Sequence, residues 1–466
     1  MTTRILYWNI QDFGFNKMAD SIDKRANRVG SKRRRVDVTA RRDLIRRHLN
    51  GLAADIIVIV EVSTGPAGAA GLIGRSGGWE GLGEVLTYLR TVDPASNWNL
   101  VPPIIIGEDS KCEGVGIFYK SNIAAGGGLG PGFRFFTGPN RFNGGMAGTS
   151  FDPLILPAPA AGNYPPGINF FSNGRVLPAV ALYNAGQQEN QCAARTAFRS
   201  VATPGFDVNF GNFRQPYMAT FTETDNGAPP VLRRHVTIFA VHSPPHFAEA
   251  RRFLSDMADV NDVAAANAVN ETKAIVGDFN VNLLRAAGTK TTAYNHLIGG
   301  GGGGLAGGNY TLMLHPTDAT FDAGVTPGYF ATHMKQLGSG VFWSVDGTPS
   351  KYPGYGYVGS SNSDRLYSID NVLVRPPAGG AQVSIINSVV GSPLTAYPWA
   401  GAGPPPPLPP VGAVHFDTSF ALGPPKWLPT QVAPAFEAGM AATFRSTANF
   451  GHIRSASDHF ALVADI

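Results

Sequence analysis

The stretch Lys273-Ala-Ile-Val-Gly-Asp-Phe-Asn-Val281 limits the fold more than any other part of the chain. Ala274, Ile275 and Val276 form a short apolar run, as a strand buried on both faces would. Gly277 ends the run, and Asp278 and Asn280 follow one residue apart. At strand spacing, side chains at i and i+2 share a face. A carboxylate and a carboxamide therefore project together from a strand end, where ligands of layered α/β folds sit. The same residues also read as an ordinary Asp-Phe-Asn turn. Several other strand ends carry similar polar groups, and that repetition favours a site over a turn.

The first such strand, Arg4 to Ile10, carries Asn9 at its end. Helical spacing over Arg41 to Leu52 precedes Asp55-Ile-Ile-Val-Ile-Val60, a buried strand that delivers Glu61. An acid directly after such a run needs a metal, a base or solvent. A helix is expected near Leu82 to Leu89, then strands over Trp98 to Ile106 and Glu113 to Tyr119, with Glu113 at the start of the second. Residues 124 to 175 read as loop. The stretch Arg214 to Phe221 reads as a strand opening after its arginine, and its hairpin partner Val236 to Val241 ends at His242-Ser-Pro-Pro. The prolines stop that strand and hold His242 at its mouth. After a helical stretch, Phe247 to Val269, and the Asp278 strand, Tyr367 to Val374 places Asp370 inside a strand. The last strand, Phe460 to Ile466, follows Ser457-Asp458-His459.

Glycine (57) and proline (36) are abundant, while charged residues make up only 15%, against about 25% in a typical globular chain. This composition describes a compact core with long, uncharged, turn-rich loops. The chain of 466 residues shows no internal repeat and no interdomain linker. It reads as one domain, 1–466, with insertions near 124–210, 281–366 and 376–450. Eleven Lys or Arg but only two acids lie between Lys24 and Arg47. Such a block suits nucleic acid first and an acidic membrane second, and equally a solvated helix face with a flexible arm. The two cysteines, Cys112 and Cys192, support neither a disulfide framework nor a Cys-based zinc site. Neither a signal peptide nor a membrane-spanning run is visible. The expectation is a cytoplasmic protein, or one exported without such a signal.

Asn9, Glu61, Glu113, His242, Asp278, Asn280, Asp370, Asp458 and His459 make a set of carboxylates, amides and imidazoles. Carboxylates and amides are hard oxygen ligands that suit Mg²⁺, Mn²⁺ or Ca²⁺. Histidines beside carboxylates supply acid–base pairs, each imidazole kept basic by its partner. Hydrolysis of a phosphate ester asks for that combination. Taken singly, His242 and His459 also read as core histidines, and Arg214 as a surface arginine.

Seven segments in order resemble the motifs of a known family: Asn9-Ile-x-x-Phe-Gly14, Asp55-Ile-x-x-x-x-Glu61, Arg214-x-Pro, His242-Ser-x-Pro245, Gly277-Asp-Phe-Asn280, Ile369-Asp370 and Ser457-Asp-His459. Together they are similar to the endonuclease/exonuclease/phosphatase superfamily. The first and fourth look most like its deoxyribonuclease I branch. The resemblance implies an α/β fold: a four-layer sandwich of two packed mixed β-sheets flanked by helices, here with long loop insertions. It implies Glu61 as the main Mg²⁺ ligand, with Asn9 beside it and Asp458 as a further ligand. Asp278 and Asn280 would orient or activate water and hold the phosphate. Asp370 would pair with His459 and Glu113 with His242, and Arg214 would lie near the scissile phosphate or support the Glu113–His242 side. The activity implied is a metal-dependent phosphodiesterase on nucleic acid, DNA before RNA. The alternative is a phosphatase or phospholipase C-like enzyme of inositol phosphates or sphingolipids, with an anionic membrane as partner. A non-catalytic binding protein on the same fold is a third reading. No obligate protein partner is implied.

Overall fold

The computed structural model describes residues 2–18, 28–29, 32–33, 38–63, 78–101, 105–107, 113–121, 131–137, 171–172, 175–176, 198–211, 213–225, 231–281, 283, 291–314, 332–336, 353–355, 369–376, 381–386 and 456–466. The sheet strands in chain order begin with β1 (Arg4–Phe13), β2 (Ile56–Val62), β3 (Trp98–Val101), β4 (Ile105–Ile106), β5 (Glu113–Lys120) and β6 (Gly132–Thr137). They continue with β7 (Tyr217–Thr224), β8 (Leu232–His242), β9 (Glu271–Asp278), β10 (Thr311–Leu312), β11 (Asp370–Arg375), β12 (Gln382–Ile386) and β13 (Ala461–Asp465). The longer helices are α1 (Val38–Gly51), α2 (Gly78–Val92) and α3 (Phe247–Asp259).

Two mixed sheets pack face to face. The first has seven strands in the order β12-β13-β1-β2-β5-β3, with β4 beside β5. The second has six, in the order β10-β11-β9-β8-β7-β6. Each holds a single parallel pair at its centre, β1 with β2 and β8 with β9; every other pairing is antiparallel. Parallel neighbours need a crossover, so α1 joins the first pair and α3 the second. The buried stripe of α3 is Ala250, Phe253, Leu254 and Met257, spaced as a helix face requires. The Trp8 ring stacks on His48 of α1 at 4.5 Å, which fixes that helix on the outer face of the first sheet. Between the sheets, Tyr119 meets Phe221 with ring centroids 5.2 Å apart.

This topology explains why residues hundreds of positions apart converge. The carboxyl ends of β2, β8 and β9 carry Glu61, His242 and Asp278; β1 runs on to Phe13, past the expected end at Ile10, and Asn9 is the last residue of its regular ladder with β2. Their antiparallel neighbours start at the same edge: β5 with Glu113, β11 with Asp370, and β13 just after His459. The register places His242 beside Asp278 and Asp278 beside Asp370.

The structure departs from the sequence expectations at several elements. Asp370 is the first residue of β11 rather than an interior one. β7 starts at Tyr217, three residues after Arg214 rather than directly after it. Strands β6, β10 and β12 fall within stretches expected to be loop or insertion, and each is placed at or near a sheet edge. Within the Lys24–Arg47 basic block most of residues 24–37 lie outside the described residues, as do Cys112, Cys192, the proline-rich stretch 402–410 and His452. The aromatic turn at 352–357 is described only as the backbone of Pro353–Tyr355, paired with Met334–Gln336. Among the described residues, no helix is long and apolar enough to cross a membrane.

Gly277 has a packing role of its own: a Cβ there would drive into the Val241 carbonyl of the neighbouring strand. Gly277→Ala is expected to cost about 3 kcal/mol, the upper end of what overpacking costs. The melting temperature of the purified variant checks this; an unchanged value would mean that β8 and β9 are not so closely packed.

Candidate active site

The carboxylate of Glu61 owes its aim to a bulge. Register pairs Asn9 with Val60 and Phe13 with Val62, so three residues of β1 oppose Glu61 alone. On the other side, Val60 and Glu61 together oppose only Val115, between the pairs Ile59–Gly116 and Val62–Gly114. In an unbroken ladder Asn9 would share a face with Val60, and Glu61 would point to the opposite one. The bulge and a left-handed backbone at Glu61 (φ 57°) turn it back. Its Oε1 then accepts from Asn9 Nδ2 at 3.0 Å and its Oε2 from the Asp12 amide at 3.3 Å. Such a conformation costs about 1–3 kcal/mol in a residue other than glycine. Burial of a single aliphatic side chain offsets that, and Ile56 through Val60 are all fully buried.

Two histidine–carboxylate pairs flank the cluster, and each takes one member from each sheet. Glu113 of the first sheet meets His242 of the second, Oε2 to Nδ1 at 2.8 Å. Asp370 of the second sheet meets His459, which leads into the first, Oδ2 to Nδ1 at 2.8 Å. Arg214 Nε forms an ion pair with the same Glu113 oxygen at 2.8 Å. Asp278 lies between the pairs, its Oδ2 3.6 Å from His242 Nε2 and 3.7 Å from His459 Nε2. His242 Nε2 is also 3.6 Å from Glu61 Oε1, and the Glu61 side chain, 24% exposed, is the carboxylate most open to solvent.

Asn280 arrives by a route other than strand alternation. Its φ of 49° takes it off the strand path, and its amide N–H donates to Asp278 Oδ1 at 2.9 Å, an Asx turn. Its Nδ2 donates to the Ser243 carbonyl at 3.0 Å. The turn and the shared location, alternatives in the sequence, are both realised.

All ten candidate residues gather at this one edge. Asp458 sits on its rim, with Oδ1 3.9 Å from His459 Nε2. Three supporting residues carried no sequence signal. Tyr7 reaches across from the first sheet to donate its hydroxyl to Asp370 Oδ1 at 3.0 Å. Thr332 Oγ1 accepts the Ile369 and Asp370 amides, each at 3.0 Å. The His333 ring lies 4.5 Å from that of His459. Tyr7 looked like one more core aromatic, and Thr332 and His333 stand in a long excursion with no motif. Ser457, inside the last motif, bridges the Asn9 carbonyl and the His459 amide.

Burial and the neighbouring charges set the protonation pattern. Burial works against charge on His459, but Asp370 outweighs it and raises the imidazole to about 10. His242 is also raised, Glu113 overcoming burial and the opposing Arg214. Burial, then Asp370, lifts Asp278 to about 6. Burial would raise Glu61 too, yet His242, His459 and the Asn9 hydrogen bond hold it below the usual carboxylate value. In excess chelator, two of these shifts predict a loss of stability as pH rises, one in the acid range and one from neutral into alkaline pH. A group with a raised folded pKa stabilises fully below its unfolded pKa and loses that contribution as pH climbs through the folded one. For Asp278 the window is 3.8 to about 6, and for His459 it is 6.5 to about 10. The melting temperature in chelator should therefore fall between pH 6.5 and 10, and less steeply in Asp370→Asn. Equal slopes would separate His459 from that pairing.

The donor set fits a hard divalent cation. Asn9 Oδ1 is buried without a hydrogen-bond partner, an oxygen of the type such ions take. Glu61 adds a charged carboxylate beside it, and Glu61, Asp278 and His459 offer ligand atoms within 4.8 Å of one another.

Strand order and crossovers together make a four-layer α/β sandwich of the deoxyribonuclease I-like type. No family model matches the sequence, and no curated protein does. Among solved structures, the chain is similar to the human Nocturnin catalytic domain with bound sulfate, at 9% identity and TM-score 0.33, over 100% of this chain and 93% of that one. It is similar to D. rerio TDP2 complexed with single-strand DNA product, at 9% identity and TM-score 0.34, over 100% and 98%. A third is the Bacteroides thetaiotaomicron VPI-5482 mannosyl-6-phosphatase Bt3783, at 12% identity and TM-score 0.28, over 82% and 87%. Overlaps of this size carry nothing about substrate.

Proposed function

We propose that the chain is a divalent-metal-dependent phosphodiesterase acting on nucleic acid, most favourably a DNA endonuclease. The observation that carries the reading is the placement of Asp278 between two carboxylate-held imidazoles, 3.6 and 3.7 Å away. Hydrolysis of a phosphodiester needs a proton taken from water, a proton given to the leaving oxygen, and positive charge at the phosphoryl oxygens. Asp278, raised toward neutrality, is the group suited to take the water proton, with Asn280 fixing its orientation. His459, kept protonated by Asp370, is suited to protonate the leaving oxygen. His242, held by Glu113, faces the phosphoryl oxygens as a second cation, and Arg214 secures Glu113 from behind. Glu61, Asn9 and Asp458 would hold Mg²⁺, with Mn²⁺ or Ca²⁺ as substitutes. When bound, such an ion supplies further charge neutralisation at the phosphoryl group.

The proposed preference for nucleic acid draws on the His242-Ser-x-Pro245 motif and on the basic block from Lys24 to Arg47. Part of that block is committed to packing, since the Arg46 guanidinium lies over the Tyr88 ring at 4.9 Å. The run from Lys24 to Arg35 is suited to phosphates along a backbone. The deciding experiment incubates supercoiled plasmid with the protein and Mg²⁺, and in parallel measures phosphate or headgroup release from inositol-phosphate and sphingolipid panels. Nicking that chelator abolishes and Mg²⁺ restores is the expected result. Lipid or inositol turnover without nicking would move the substrate to the alternative class. Inertness on both panels would leave a binding protein on this fold.

A further inference from the structure

A second donor set lies on the rim, distinct in chemistry from the oxygens around Glu61 and Asn9. His333 and His459 face each other across an isolated antiparallel bridge just ahead of β13. Asp458 reaches both rings, its Oδ2 3.4 Å from His333 Nε2 and its Oδ1 3.9 Å from His459 Nε2. One ligand atom from each of the three falls within 4.8 Å of the others. Two atoms each about 2.1 Å from a tetrahedral ion stand about 3.4 Å apart. The separation of Asp458 Oδ2 from His333 Nε2 has that value.

The second observation is the support behind His459. Asp370 occupies its Nδ1 at 2.8 Å, and Tyr7 in turn fixes Asp370. A carboxylate behind an imidazole is the outer-shell arrangement that orients a metal-ligating histidine and presents its other nitrogen. Two imidazoles with one carboxylate and a fourth position left for water form a set for Zn²⁺-type ions, whereas Mg²⁺ prefers oxygen donors throughout.

We propose that His333, Asp458 and His459 form a site for a nitrogen-seeking transition ion of the Zn²⁺ class, and that its occupancy silences the enzyme. Silencing rests on the proposed function: coordination displaces the Nε2 proton of His459 to solvent and takes up that nitrogen and the Asp458 carboxylate, so neither remains available to the phosphodiester reaction. The ion at the oxygen-rich position and the ion at this one are therefore antagonists, Mg²⁺ supporting turnover and Zn²⁺ stopping it.

The test uses the full chain in excess Mg²⁺, with Co²⁺ as the visible probe and Zn²⁺ as its competitor. Co²⁺ is expected to give the intense visible bands of a four-coordinate nitrogen-containing site, and stoichiometric Zn²⁺ is expected to bleach them. His333→Gln should weaken Co²⁺ binding by at least about tenfold, since removing even an outer-shell partner costs 10- to 100-fold. The same variant should raise the Zn²⁺ concentration that halves plasmid nicking by a similar factor, relative to its own uninhibited rate. Weak octahedral-type bands in the wild-type protein would overturn the site, even if the variant failed to fold. Unchanged affinity in a folded His333→Gln would also overturn it. A protein that binds Co²⁺ as described but cleaves no phosphate ester would keep the site and lose the proposed function instead.

Discussion

Replacing His459 by alanine is expected to lower phosphodiester turnover by about 10²- to 10⁴-fold, the range over which a positioned acid or base contributes. The substitution also leaves the buried Asp370 carboxylate without its imidazole. Breaking a buried pair from one side costs about 3–5 kcal/mol, and the lower end applies because Tyr7 still donates to Asp370 Oδ1. Stability and chemistry can then be separated by a second substitution. Asp370→Asn added to His459→Ala removes the stranded charge, so the melting temperature should recover while the rate stays low. If rate and melting temperature recovered together, His459 would be a packing residue and the acid would have to be sought elsewhere.

Glu61→Gln should abolish the response to divalent cations. Loss of several kcal/mol of charge stabilisation corresponds to about 10³-fold in turnover at saturating Mg²⁺. The rise in melting temperature on adding Mg²⁺ or Mn²⁺ to chelator-treated protein should vanish as well. The backbone at Glu61 is left-handed, a conformation that strains glutamine as it does glutamate, so the comparison isolates the charge. Full activity of the wild-type protein in excess chelator would remove the metal from the mechanism.

How much of this arrangement the sequence displayed depends on distance along the fold. Glu61, His242 and Asp278 were legible because Glu61 and His242 end apolar runs abruptly and Asp278 follows one within two residues, and the cost of placing an acid or imidazole there needs a reason. Tyr7 was not legible, since its partner belongs to the facing sheet and nothing local distinguishes it from Trp8. Asn280 was assigned to the correct edge by strand alternation, yet an Asx turn at positive φ brings it there. The bulge at Glu61 was hidden for a related reason: register is a relation between strands, and a single strand does not contain it. β6 was missed because the alternation of Phe133 and Phe135 is short and enclosed by glycine, proline and asparagine.

Both imidazole–carboxylate pairs straddle the seam between the two layers, and with opposite polarity. A slip of one layer past the other by a single residue, about 3.3 Å, would part both contacts at once. Chemistry at this edge is thus a gauge of interlayer alignment, and a folding intermediate with one layer complete would be wholly inert rather than half active. Any agent that shears the layers without melting either would act as an off-switch that spectroscopy of secondary structure would not detect.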